Sequence, residues 1–171
     1  VVAAENAADE FWTRTFPPPW RIEEQGDGDL GIRLETAFRR EFASYERVAA
    51  VGSDHPDLSR DELVKLLLSP NGLWPTRDGG YAAILLTRSS AALELFRGIE
   101  WSTSTVFART VERARERRIE FAVAPETGDV DVEDDLDALY DRLSRRNPGL
   151  PDFPAHTWRE ISRLEPRAAR R

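Results

Sequence analysis

Three stretches of this sequence place carboxylates where the chain would leave an extended segment, and each could serve a reaction. In Val51-Gly52-Ser53-Asp54-His55-Pro56-Asp57-Leu58, Asp54 follows an apolar run and Pro56 fixes the turn that presents it. Hard cations such as magnesium or manganese take carboxylate oxygens and complete their shell with water and phosphate oxygens, so Asp54 is a candidate metal ligand. The plainer reading is an aspartate that stabilises a turn before a capped helix. Asp129-Val130-Asp131 could bring a second carboxylate, Asp131, to the same cation. Equally, Asp131, Glu133, Asp134 and Asp135 could simply oppose the dipole of the next helix.

Arg77-Asp78-Gly79-Gly80-Tyr81 carries paired glycines that let backbone approach a ligand, with Asp78 poised to accept a proton or a sugar hydroxyl. The same residues also suit a hairpin turn. His55, between two aspartates, is a possible ligand, although a lone turn histidine is usually just partly exposed. His156 has less support. Trp101, beside Ser102 and Thr103, is placed to line a pocket, whereas Trp12, Trp20, Trp74 and Trp158 read as core or rim anchors. The arginines at 113, 115, 117 and 118 suit a solvated helix end better than a phosphate or RNA patch.

The elements that must position these groups follow from periodicity. Val1 to Ala4 reads as a buried strand, and Asn6 can cap a helix to about Phe16, ended by Pro17-Pro18-Pro19. After an extended Trp20 to Gln25 and the turn Gly26 to Asp29, Leu30, Leu34, Phe38 and Phe42 mark a helical stripe facing a core. Arg47 to Gly52 reads as a strand covered on both faces, as in a parallel sheet. Ser59 and Glu62 form a capping box for a helix over Arg60 to Leu68. Leu73-Trp74 and Tyr81 to Thr87 are strands, with a short helix near Ala91 to Phe96. Ser102 or Thr103 can cap a helix reaching Arg117. Ile119 to Ala124 is a last strand, and helices over Glu133 to Arg145 and Thr157 to Leu164 close the chain. Strands alternating with helices predict an α/β fold with a mostly parallel sheet and helices on both faces. Ligands in such folds sit outside the carboxyl ends of the strands, which directs attention to 52–57, 76–81 and 129–131.

Composition narrows the classes. A length of 171 residues fits one domain, since domains take about 100 to 200 residues. The formal net charge of -7 disfavours nucleic acid as a partner. With no Cys, a thiol nucleophile and a thiolate metal site are excluded. No stretch approaches the roughly 20 apolar residues of a membrane span, and the first residues lack signal-peptide features, so no membrane partner is expected and a cytoplasmic location is the simple expectation. There is no Met, so a start at Val1 reads as processed, trimmed or mis-called.

In order, Gln25-Gly26-Asp27-Gly28-Asp29-Leu30-Gly31 with Arg33-Leu34, Gly52-Ser53-Asp54 with Pro56 and Leu58, Asp78-Gly79-Gly80-Tyr81, Trp101-Ser102-Thr103-Ser104, and Asp129-Val130-Asp131 with Asp135-Leu136 resemble a family of small GT-A-type transferases. These are described as radical-SAM/selenodomain-associated transferases, related to nucleotide-diphospho-sugar transferases. The resemblance covers about Val1 to Leu143. It implies a Rossmann-like GT-A three-layer sandwich over 1–145, followed by a Pro-rich segment and helix over 146–171. It also implies magnesium or manganese at Asp54, with Asp131 as a second ligand, and a nucleotide-sugar donor with a small-molecule acceptor. Asp78 would be catalytic, Gly79, Gly80 and Tyr81 would lie near the acceptor or transferred sugar, and Trp101, Ser102 and Thr103 would wall the pocket. A nucleotidyltransferase releasing pyrophosphate and a non-catalytic scaffold are the other readings. In the resembling proteins a strand and a basic glycine loop come first, and Val1 to Ala4 matches their second strand. That predicts an N-terminally incomplete domain, or a homo-oligomer that repairs the gap.

Overall fold

Apolar runs bounded by turn residues become short strands, and the helices between them cover both faces of the larger sheet. The computed structural model describes residues 1–164; the last part of the 146–171 segment, 165–171, lies outside the described residues. In chain order the elements are β1 (Val2–Ala4), α1 (Glu10–Thr15), β2 (Ile22–Glu24), α2 (Leu30–Glu41), β3 (Arg47–Val51), α3 (Arg60–Leu68), β4 (Gly72–Pro75), β5 (Tyr81–Thr87) and α4 (Ser90–Leu93), with a 3-10 turn over Glu94–Phe96. There follow α5 (Val106–Glu116), β6 (Ala122–Val123), α6 (Glu133–Ser144) and α7 (Ala155–Arg163). No described helix is long and apolar enough to cross a membrane.

The strands form two sheets. β1 and β2 pair in parallel, while the second sheet has the order β3-β5-β4-β6. Its β3–β5 and β4–β5 pairings are antiparallel and only β4–β6 is parallel, so the expected mostly parallel sheet is overturned. The reason is local. Thr76 to Gly80 is a tight turn, with Thr76 N–H donating to the Gly80 carbonyl at 3.1 Å and Gly79 at φ 90°, and a turn that short can join only antiparallel neighbours. The reversed strand β5 thus lies between β3 and β4. Those two strands and β6 still run in one direction.

β5 is the strand covered on both faces, its five inner residues being buried. β3, expected to be so covered, is instead an edge strand whose Val48 and Ala50 are half-buried while Ala49 and Val51 are exposed. Likewise only Ala4 of the opening apolar run is buried. On one face of the larger sheet Phe38, Phe42, Leu73, Ile84, Leu86, Leu95, Phe96 and Ala114 form the main core. On the other, Leu66 of α3 packs with Trp74, Ala82 and Ala83. α6 and α7 share a smaller core of Leu139, Leu143 and Ile161, flanked by Tyr140 and Trp158.

Helix starts mostly match their capping residues. Ser59 Oγ accepts from Glu62 N–H at 3.4 Å and Asp29 Oδ1 from Ile32 N–H at 2.9 Å. Two caps differ from expectation. α1 begins after Asp9, which accepts from Phe11 N–H at 2.8 Å, because Asn6 is spent in the turn before it. α5 begins after Thr105, whose side chain makes no capping bond; Thr103 Oγ1 instead donates to the Glu100 carbonyl at 2.8 Å, and Ser102 sits at φ 60°. The last strand shrinks to Ala122–Val123, since Ile119 and Phe121 turn into the main core. Of the α2 stripe, Phe38 and Phe42 are buried but Leu30 is half exposed. Trp20 is also exposed.

One ion cluster ties α2 to the segment before α5. Arg97 reaches both Glu35 oxygens, at 3.0 and 2.8 Å, and Arg39 adds a bond of 2.7 Å. The Arg97 bond above all lowers the Glu35 carboxyl, to about 2. Its stabilisation is therefore complete above the unfolded carboxyl range and is lost as pH falls through about 2. Because the arginines are well exposed, Glu35→Gln is expected to cost only about 1 kcal/mol near neutral pH. In denaturant titrations, the gap between the two proteins should close as the solution is acidified from pH 4.5 towards 2.

Candidate functional site

Because β3, β4 and β6 run the same way, their carboxyl ends reach one end of the sheet, and so do the three loops that follow them. The loops are clasped by backbone. Val130 N–H donates to the Asp54 carbonyl at 3.0 Å, Arg77 N–H to Thr127 at 3.1 Å, and Thr127 N–H to Pro75 at 3.0 Å. Between them opens a cleft of about 310 Å³. Asp54, Asp78, Gly80, Tyr81, Trp101, Ser102, Thr103 and Asp131 all line it, so eight of the nine residues singled out from sequence come together.

Gly79, the ninth, builds the wall from behind. A Cβ on it would lie 2.0 Å from the Ser104 carbonyl oxygen, and its own carbonyl accepts from Phe107 N–H at 2.8 Å. It thereby locks the β4–β5 turn against the loop carrying Trp101. That indole packs edge-on to Tyr81 and tilted against Phe96, over Gly31, where a Cβ would come within 2.4 Å of the indole nitrogen. The Tyr81 phenol is turned inward. Burial pushes it above its ordinary range, and Thr110 offsets this little, because the Thr110 hydroxyl donates to the Val106 carbonyl and makes no hydrogen bond of proper geometry with the phenol.

Asp78 is held as a carboxylate. Its Oδ1 accepts from the Thr76 hydroxyl and from Gly80 N–H, and the Thr76 bond contributes most to lowering its carboxyl below the usual range. A carboxylate so satisfied is a weak base with one oxygen still to offer. Asp131 moves the other way: repulsion from Asp129 first, then some burial and the charges of Asp54, Asp135 and Asp78, raise it. Four carboxylates thus crowd one cleft. Among the described residues no three His, Cys, Asp or Glu side chains are grouped so as to hold a metal ion by themselves. A hard cation bound here would therefore take further ligands from water or from a bound anion.

The lining also includes Leu30, His55, Thr76, Val106 and Asp129. Leu30 reads from sequence as core, since its spacing matches Leu34 and Phe38. Thr76 had only its position two residues before Asp78 as a signal. His55 is buried rather than partly exposed.

Residues 1–103 match the model of a family described as an uncharacterized protein conserved in bacteria, DUF2064. The chain belongs to the DUF2064 family. No curated protein matches this DUF2064 chain. Among solved structures, it is similar to one from Desulfovibrio desulfuricans G20 described as a "putative nucleotide-diphospho-sugar transferase", with a TM-score of 0.76 and 29% identity. The match covers 93% of this chain and 71% of that one.

The crowding of carboxylates has a measurable sign. A raised carboxyl means that ionised Asp131 opposes folding at neutral pH and that acid relieves the strain. In metal-free buffer, Asp131→Asn should melt at a higher temperature than the parent near neutral pH, and calorimetric scans should show that gain shrinking in acid.

Proposed function

We propose that this protein is a GT-A-type transferase that moves a sugar from a nucleotide-diphospho-sugar to a small acceptor, using magnesium or manganese. The observation that carries this reading is the meeting of Asp54, Asp78 and Asp131 in one cleft at the strands' carboxyl ends. The similarity to a described nucleotide-diphospho-sugar transferase over most of the chain supports it.

Asp54 would hold the cation, with Asp131 adding charge directly or through water. The cation, when bound, neutralises the diphosphate as it leaves. Asp78 offers its free oxygen to a sugar or acceptor hydroxyl. Its lowered carboxyl favours accepting and orienting that hydroxyl over fully abstracting the proton. Trp101 supplies an apolar wall that a sugar or base can stack on. Ser102 and Thr103 line the same side, and the Gly79-Gly80 turn gives backbone close access to the ligand.

The test is incubation of the purified chain with UDP-, GDP- and other nucleotide-sugars, with manganese, with magnesium and without metal. A released nucleoside diphosphate marks sugar transfer, whereas pyrophosphate would mark a nucleotidyltransferase. No binding or turnover by a folded chain would leave a scaffold. Asp54→Asn is expected to weaken metal-dependent nucleotide-sugar binding at least about tenfold by calorimetry. Asp78→Asn should leave that binding nearly intact and lower the turnover number by about 10² or more.

A further inference from the structure

His55 is buried in the wall of the cleft, with a side chain only 4% exposed. Its Nδ1 lies 3.1 Å from the Gly128 carbonyl oxygen, which can only accept, so the ring donates there. That bond occupies Nδ1 and leaves Nε2 as the ring nitrogen beside Asp54, 3.2 Å from its Oδ1. Two atoms so placed pair through a positive charge between them, supplied either by a second ring proton or by a cation against both.

The spacing has a natural occupant. Neighbouring ligand atoms of an octahedral cation with bonds of about 2.1 Å lie about 3.0 Å apart. A ligating histidine commonly donates its other ring N–H to a backbone carbonyl, as His55 does to Gly128. Gly52 keeps the place open, since a Cβ there would lie 2.6 Å from Asp54 Oδ1 and 3.2 Å from His55 Nε2.

We propose that Asp54 Oδ1 and His55 Nε2 are neighbouring ligand atoms of the cleft's divalent cation, and that the imidazole makes the site prefer manganese to magnesium. Imidazole nitrogen suits transition metals, whereas magnesium keeps to oxygen. This rests on the reading that Asp54 holds a cation and adds which atom stands beside it. With no third protein ligand grouped there among the described residues, the other positions belong to water or diphosphate oxygens, and Asp131 acts through water.

The test is calorimetric titration of the full chain with manganese chloride and with magnesium chloride alone, comparing the parent with His55→Asn. The asparagine amide can keep a donor near the Gly128 carbonyl but offers nothing at Nε2. Manganese affinity should fall about tenfold or more while magnesium affinity stays put. An unchanged manganese-to-magnesium ratio in the folded variant overturns the proposal. Should the variant fail to fold, nitrogen-15 NMR of the parent titrated with cadmium chloride, a diamagnetic stand-in, decides: a shift of the His55 Nε2 signal well beyond that of Nδ1 is expected. An Nε2 signal that does not move overturns it. His55-dependent manganese binding without nucleotide-sugar binding would keep this inference and sink the donor-site reading, and metal-dependent nucleotide-sugar binding that needs Asp54 but is unchanged in His55→Asn would do the reverse.

Discussion

Everything at the cleft depends on one reversed strand. β5 is buried on both faces and hydrogen-bonds to β3 on one side and β4 on the other, so it fixes their separation and their common direction. A strand buried in that way tolerates little change in volume, because each face packs into a different core. The carboxyl ends of β3 and β4 therefore open on the same side with β5 starting between them, and β6 joins in parallel beyond. The loops need no long reach to meet.

What meets there is electrostatically unfavourable in isolation. Asp54, Asp78, Asp129 and Asp131 share a cleft walled on one side by Trp101. The fold tolerates this because the backbone bonds Val130 to Asp54 and Arg77 to Thr127 hold the loops regardless of charge. Thr76 and Gly80 satisfy one oxygen of Asp78, and the repulsion appears instead at Asp131. The excess of negative charge is held by neutral scaffolding rather than offset by a cationic side chain in the lining.

The loops that form the cleft were legible in the sequence, although the sheet was not. Apolar runs ending near Val51, Trp74 and Ala124 locate the strand ends whichever way the neighbours run. The direction of β5 turned on whether Asp78-Gly79-Gly80 was a hairpin turn, and it is one: the turn reverses the chain while Asp78 and Gly80 line the cleft. Strict alternation of helices and strands concealed this, because the inserted strand has no helix before it. β3 looked doubly covered since Val48 to Val51 are all apolar, but alanines are small enough to sit exposed at an edge. His55 carried no periodic signal, its burial arising from the distant Gly128 carbonyl. Leu30 shared the α2 stripe, and nothing local told that it lines the cleft rather than the core.

The small core of α6 and α7 is attached to the rest of the molecule through the Asp54 loop itself. Arg142 of α6 binds Asp57 at 3.1 Å, and the Thr157 hydroxyl of α7 donates to the Pro56 carbonyl at 3.0 Å. The two helices so form a buttress standing behind the loop, and none of their residues lines the cleft. Sequence drift in Leu139, Leu143 or Ile161 would reach Asp54 by way of that buttress. The shape of the cleft is thus open to tuning from residues that do not line it.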